Sequence, residues 1–231
     1  MTQAFGKAAR EPVMRAEREL AMRLEAMSKD GGLQLPITPG PLFVLLALAT
    51  GEADFVVLPD SRACEAAAQE LRRARPGGYV ISERTGRTFP PRTFGSDYPD
   101  NSVPRYAYVH VSEQGMMEIV SGELADKAHG LVVGLGLIEQ SIRERDAEAM
   151  RAAFEALEVD GPIVVTAALL RTRDAKVSSP GAVSDCVGVL HVPYVTIEPR
   201  CFSARVELHA EHLNQLVSDL WTEVGRQVSS T

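Results

Sequence analysis

"LFVLLALA", residues 42–49, is apolar at every position. A half-exposed strand would alternate apolar and polar residues, and a surface helix would return a polar residue every turn. A short run with neither pattern fits a strand covered on both faces, so it belongs in the middle of a sheet flanked by helices. Pro41 to Ala49 falls far short of the roughly 20 apolar residues that a membrane-spanning helix needs.

Upstream, "PVMRAERELAMRLEAMS" (12–28) sets Val13, Ala16, Leu20, Leu24 and Met27 on one helical stripe. Pro12 suits the first turn of that helix, and "KDGG" at 29–32 a stop. Residues 1–11 are expected to be a disordered N-terminal segment. Downstream, Phe55–Leu58 reads as a neighbouring strand or a loop. "SRACEAAAQELRRAR" (61–75) reads as an alanine-rich helix opened by Ser61 and closed by "PGG". A strand is expected at Tyr79–Glu83. Residues 84–104 hold four prolines and two glycines, which predicts a long exposed loop.

The clearest β signal is "RYAYVHV-SEQG-MMEIVSG" (105–122), two strands around a polar turn. "HGLVVGLGLIEQSIRERD" (129–146) then raises the question of a nucleotide loop. Gly134 and Gly136 supply the first two glycines of G-x-G-x-x-G, but Glu139 stands where the third belongs, and a carboxylate there would repel phosphate. Leu131 to Arg145 is better read as a helix, with both glycines against another element's backbone. It continues into, or is followed by, a helix at 146–158. "GPIVVTAALLRTR" (161–173) is a second buried strand, 174–192 a serine- and glycine-rich loop, and "VPYVTIEP" a short strand. The closing "SARVELHAEHLNQLVSDLWTEVGR" is an amphipathic helix carrying Leu208, Leu213, Leu216, Leu220 and Trp221. The expectation is a single α+β domain over 1–231, a mixed sheet with a hairpin and helices on its faces.

The chain has 231 residues and a net charge of −7, which argues against a protein built wholly around nucleic-acid phosphates but leaves room for a local basic patch. Cys64, Cys186 and Cys201 are too few and too scattered for a disulfide framework or a zinc ribbon. The N-terminus lacks the apolar core of a signal peptide, so a cytoplasmic location is expected. His209 and His212 lie at i and i+3 on the last helix but lack further ligands, and a solvated face is the simpler reading. Ser178, Ser179, Asp185, Cys186 and His191 crowd one region without a nucleophile elbow. No metal or cofactor is implied, and no residue is assigned as catalytic.

Residues 61–105 carry eight arginines, among them Arg84, Arg87, Arg92 and Arg105, against five acidic residues. Phe94 and Tyr98 are interleaved with them. Arginine beside aromatic platforms serves single-stranded nucleic acid, and equally a protein partner.

The segment order also resembles a known family. "ERELAMRLEAM" leads to "LPITPGPLFVLLAL"; then come "RYAYVHVSEQGMMEIV", "FEALEVDGPIVVTAALL", "VPYVTIEP" and "LVSDLWTEVG", covering most of 17–226. This is similar to the accessory region that follows the AlbA-like domain in bacterial Schlafen/AlbA-like DNA-binding proteins. The matching pieces are mostly structural. The nucleic-acid or nucleotide chemistry of such proteins is credited to the AlbA-like domain, which has no counterpart here, so no functional residue carries over. The resemblance implies a non-catalytic accessory domain that binds a protein partner or positions a separately encoded catalytic chain. A homodimer through exposed helices fits that reading. The expected contact residues are Arg84, Arg87, Arg92, Arg105, Phe94 and Tyr98; the alternative is nucleic-acid binding through segment 61–105.

Overall fold

The computed structural model describes residues 7–29, 31–50, 61–82, 91–96, 105–122, 124, 132–133, 136–179 and 182–229. In chain order the first half holds α1 (Lys7–Met27), β1 (Leu42–Ala49), α2 (Ser61–Leu71), β2 (Thr93–Gly95), β3 (Ala107–Val111), β4 (Met117–Ser121) and β5 (Val132–Val133). The second half holds α3 (Gly136–Ser141), α4 (Ala147–Ala156), β6 (Ile163–Leu170), β7 (Ala175–Ser179), β8 (Ala182–Leu190), β9 (Tyr194–Thr196), β10 (Arg200–Phe202) and α5 (Ala210–Ser229).

The uniformly apolar run is β1, and it lies where its composition places it. It pairs antiparallel with β4 through Leu45 opposite Ile119, and with β6 through Leu45 opposite Ala167. The sheet order is β10–β6–β1–β4–β3–β2, with β9 also on β6. β9 and β10 cover successive parts of the β6 edge, Val195 opposite Leu169 and Cys201 opposite Val164. Every strand pairing in this sheet is antiparallel. A second sheet joins β5, β7 and β8, with β5 parallel to β7.

Alternate side chains of β1 feed two cores. Phe43, Leu45 and Ala47 face α2, α4 and α5, meeting Ala67, Leu71, Met150, Phe154, Leu213, Leu216 and Leu220. Leu42, Val44 and Leu46 face α1 and the segment after it, meeting Ala16, Leu20, Met27, Leu35 and Ile37. Each fully buried leucine contributes roughly 1.5–3 kcal/mol, so β1 contributes heavily to both cores.

Several expectations are corrected. Helix α1 begins at Lys7, so 7–11, expected to be disordered, are its first turns and Pro12 lies inside it. Lys7, Ala8, Ala9 and Arg10 are good helix formers, and apolar residues downstream, Ala16, Leu20 and Met27, anchor the helix to the sheet. The strand expected at Tyr79–Glu83 reduces to a bridge between Ile81 and Ser96. Within the expected loop 84–104, Thr93–Gly95 is a buried strand on β3. The expected loop 174–192 is the β7–β8 hairpin, where serine and glycine still form strands because the ladder and α5 support them. Val132–Val133, expected to be helical, are strand β5; the helix starts at Gly136. A Cβ at Gly136 would meet nothing within 4 Å, so this glycine does not serve a close approach. Phe55–Leu58 and Gly134 lie outside the described residues.

Candidate functional site

A buried cluster of polar side chains lies on the α1 face of β3 and β4. Glu118, in the middle of β4, is 1% exposed. A lone carboxylate there would be costly, and three donors answer it. Arg23 of α1 grips it with both arms of its fork, Nε to Oε1 at 2.7 Å and Nη2 to Oε2 at 3.0 Å. The Tyr108 hydroxyl donates to Oε2 at 3.0 Å. The remaining arm of Arg23 donates to the Gly32 carbonyl at 2.8 Å. One guanidinium therefore ties α1, the turn that ends it and the sheet together. Planar bidentate geometry is what makes arginine, and not lysine, suitable here.

His110 stands directly opposite Glu118 in the β3–β4 register. Its Nδ1 lies 2.8 Å from Thr93 Oγ1 on β2. Burial holds the imidazole below its ordinary pKa, in spite of the attraction of the Glu118 carboxylate. Burial likewise pushes the Tyr108 phenol well above its usual range, and the neighbouring carboxylate adds to this. At neutral pH this cluster is one charged pair with a neutral tyrosine and a neutral histidine beside it.

A second buried carboxylate, Asp146, ends a π-helical turn (Ile142–Asp146) between α3 and α4. Such turns often mark functional positions. Here Asp146 accepts the Arg75 backbone N–H at 2.7 Å and the Ser141 hydroxyl at 2.8 Å. It thereby fastens the connection after α2 to the α3–α4 helix. Burial pushes its carboxyl up to about 6, against the pull of those two donors.

The expected contact residues divide. Phe94 is buried in the core, with the Arg72 guanidinium 5.8 Å from its ring centroid. Arg105 is buried and donates to the Ser96 carbonyl at 2.9 Å. Arg92, in a left-handed conformation (φ 59), donates to the Val111 carbonyl at 3.2 Å and has Glu113 Oε1 3.5 Å away. These three brace β2 and β3 and do not form an exposed patch. Arg84, Arg87 and Tyr98 lie outside the described residues. What the same segment does present is a ridge at the end of α2: Arg73, Arg75 and Val80 are exposed. Tyr79 beside them stacks on Tyr106, with ring centroids 5.0 Å apart.

Among the described residues the other candidates do not assemble into a site. His209 and His212 lie 5.7 Å apart, ring to ring, and His212 Nδ1 is 2.7 Å from the Glu207 carbonyl. His191 and Asp174 are exposed and 4.0 Å apart. Among the described residues no group of three or more His, Cys, Asp and Glu could hold a metal ion, and no helix is long and apolar enough to cross a membrane. The side chains of Ser178, Ser179, Asp185 and Cys186 are outside what is described.

Arg23, Tyr108 and Glu118 were not singled out from the sequence. The signal was there: Glu118 interrupts the apolar side of "MMEIVSG", and in a strand buried on both faces a charge demands a partner. Its partner is 95 residues away in the chain, beyond the reach of any spacing rule. No family model, curated protein or solved structure matches this chain.

Proposed function

We propose that this chain is a non-catalytic accessory module that binds a protein partner, or positions a separately encoded catalytic chain, through the arginine ridge at the end of α2. The observation that carries this reading is the contrast between buried and exposed polar groups. Glu118, His110 and Asp146 are each hydrogen-bonded to a named neighbour inside the fold. Arg75 and Val80 face solvent in the stretch after α2, and Arg73, also exposed, pairs with Glu70. Arginine next to apolar and aromatic surface is the composition favoured at interface centres. Arg84, Arg87 and Tyr98, expected contacts from the adjoining sequence, lie outside the described residues.

The test is comparative affinity capture from cells, with the native chain and a variant carrying Arg73, Arg75, Arg84 and Arg87 changed to alanine. A protein recovered with the native chain and lost with the variant is the expected outcome. Identical recoveries would contradict the reading. The exposed arginines beside stacked Tyr79 and Tyr106 also support a second reading, binding of single-stranded nucleic acid. That reading requires fluorescence anisotropy of a labelled oligonucleotide to report an affinity falling steeply with added salt.

A further inference from the structure

The outward face of α1 carries a pattern that neither the fold nor the arginine ridge uses. Leu20 marks the buried side of this helix, and the exposed side runs through Glu11, Arg15, Arg18, Met22 and Glu25 to Lys29 in the turn that ends it. All six are exposed, and Met22 is 63% exposed. The spacing alternates four and three residues, a straight seam along one helix face, and five of its six side chains are charged, so pairing of charge would hold a partner here. Met14, 55% exposed, and Ala26 flank the seam.

The charges along this seam are complementary to themselves when reversed. In an antiparallel pair centred near Leu20, Glu11 meets Lys29, Arg15 meets Glu25, and the Arg18 stem lies over Met22. Met14 falls against the small Ala26. Each contact occurs twice about a two-fold axis, as an isologous interface requires. The same register sets each position of one heptad class against the other class, the arrangement of antiparallel coiled coils. A parallel pair would instead set Arg15 on Arg15, Arg18 on Arg18 and Glu25 on Glu25. Lys29 already reaches Glu25 within the chain at 2.9 Å, an exposed pair that yields easily to a new partner. The Arg23–Glu118 clamp holds the opposite side of the helix to the sheet, so the seam is presented on a fixed element.

We infer that α1 is a self-association surface, its occupant a second copy of this chain packed antiparallel along about 27 Å of helix. The seam is mostly charged, so the dimer is weak and salt-sensitive. This inference uses α1 alone and is independent of the ridge at α2.

Sedimentation equilibrium of the full chain at low and high ionic strength tests it. The native chain is expected to dimerise at low salt and to dissociate as salt is added. Arg15→Glu, which sets like charges against Glu25, is expected to weaken the dimer by roughly tenfold or more. Adding Glu25→Arg to the same chain reverses both charges and is expected to restore association. Circular dichroism of each variant checks that these exposed substitutions leave the fold intact. A native chain that stays monomeric at low salt, an Arg15→Glu variant that dimerises as well as the native chain, or a double variant that fails to recover would each overturn the inference.

Discussion

His110 and Asp146 are both buried, and folding couples to their protonation in opposite senses. His110 holds a depressed pKa in the folded chain, so the unfolded chain takes up its proton first as pH falls, and stability declines below the ordinary histidine range near 6.5. Asp146 is raised from 3.8 to about 6, so the folded chain takes up that proton first. Its contribution to stability is therefore greatest below pH 4 and is lost as pH rises through 6. The whole shift corresponds to about 3 kcal/mol. Asn can keep both hydrogen bonds, accepting from the Arg75 N–H and donating to Ser141, without the buried charge. Asp146→Asn is thus expected to stabilise the chain by 1–3 kcal/mol above pH 7, estimated roughly from that shift, and to change little at pH 4. Urea unfolding at the two pH values checks this; an equal effect at both would refute the assignment. At Glu118 the charge is matched, and removing one partner should hurt. Arg23→Ala leaves the carboxylate buried and unpaired, at an expected cost of about 3–5 kcal/mol. Arg23→Met combined with Glu118→Gln should recover most of that loss in the same unfolding measurement.

At the scale of elements, legibility in the sequence followed the kind of force that builds each one. Elements set by apolar pattern were readable: β1 and β6 from unbroken apolar runs, the β3–β4 hairpin from its turn, α1 and α5 from their stripes. Elements set by partners were not. β2 has only Thr93–Gly95 and owes its order to β3, with Arg105 and Arg72 bracing it, so proline and arginine made it look like loop. β7 and β8 hold three serines and a glycine interspersed with four valines, and their order comes from pairing with each other. The candidate contact residues suffered from the same effect, since an arginine that braces a strand and one that greets a partner have the same composition. Two measurements belong here. Leu45→Ala empties the middle of β1 against α2 and α4, and should cost about 2–5 kcal/mol by chemical denaturation. A loss under 1 kcal/mol, well below that range, would mean that β1 is not the fully buried centre. Gly32→Ala drives a Cβ to within 1.8 Å of the Ala26 carbonyl oxygen, a backbone atom that cannot step aside. It should loosen the end of α1 and the bond from Arg23, seen as faster amide exchange across residues 20–29 than in β1.

At the scale of the molecule, the buried polar groups serve cohesion, and both proposed contact surfaces are drawn from exposed charges. The sheet separates two cores, with α2, α4 and α5 on one side and α1 on the other. The ridge at the end of α2 and the outer seam of α1 belong to helices on opposite faces of the sheet. Two surfaces so placed allow one copy to pair with another while a different partner docks. Charge alone would have argued against any anionic partner, since the chain carries −7 overall; the local arginine excess is what keeps that reading open. The most direct test of the proposed function is site-specific photo-crosslinking in cells, with a photoreactive amino acid at Val80 on the ridge and a control at Tyr194, exposed on β9. A discrete covalent adduct to one protein is expected from position 80 and none from position 194. No adduct from position 80, or an adduct that disappears on nuclease treatment, would contradict it.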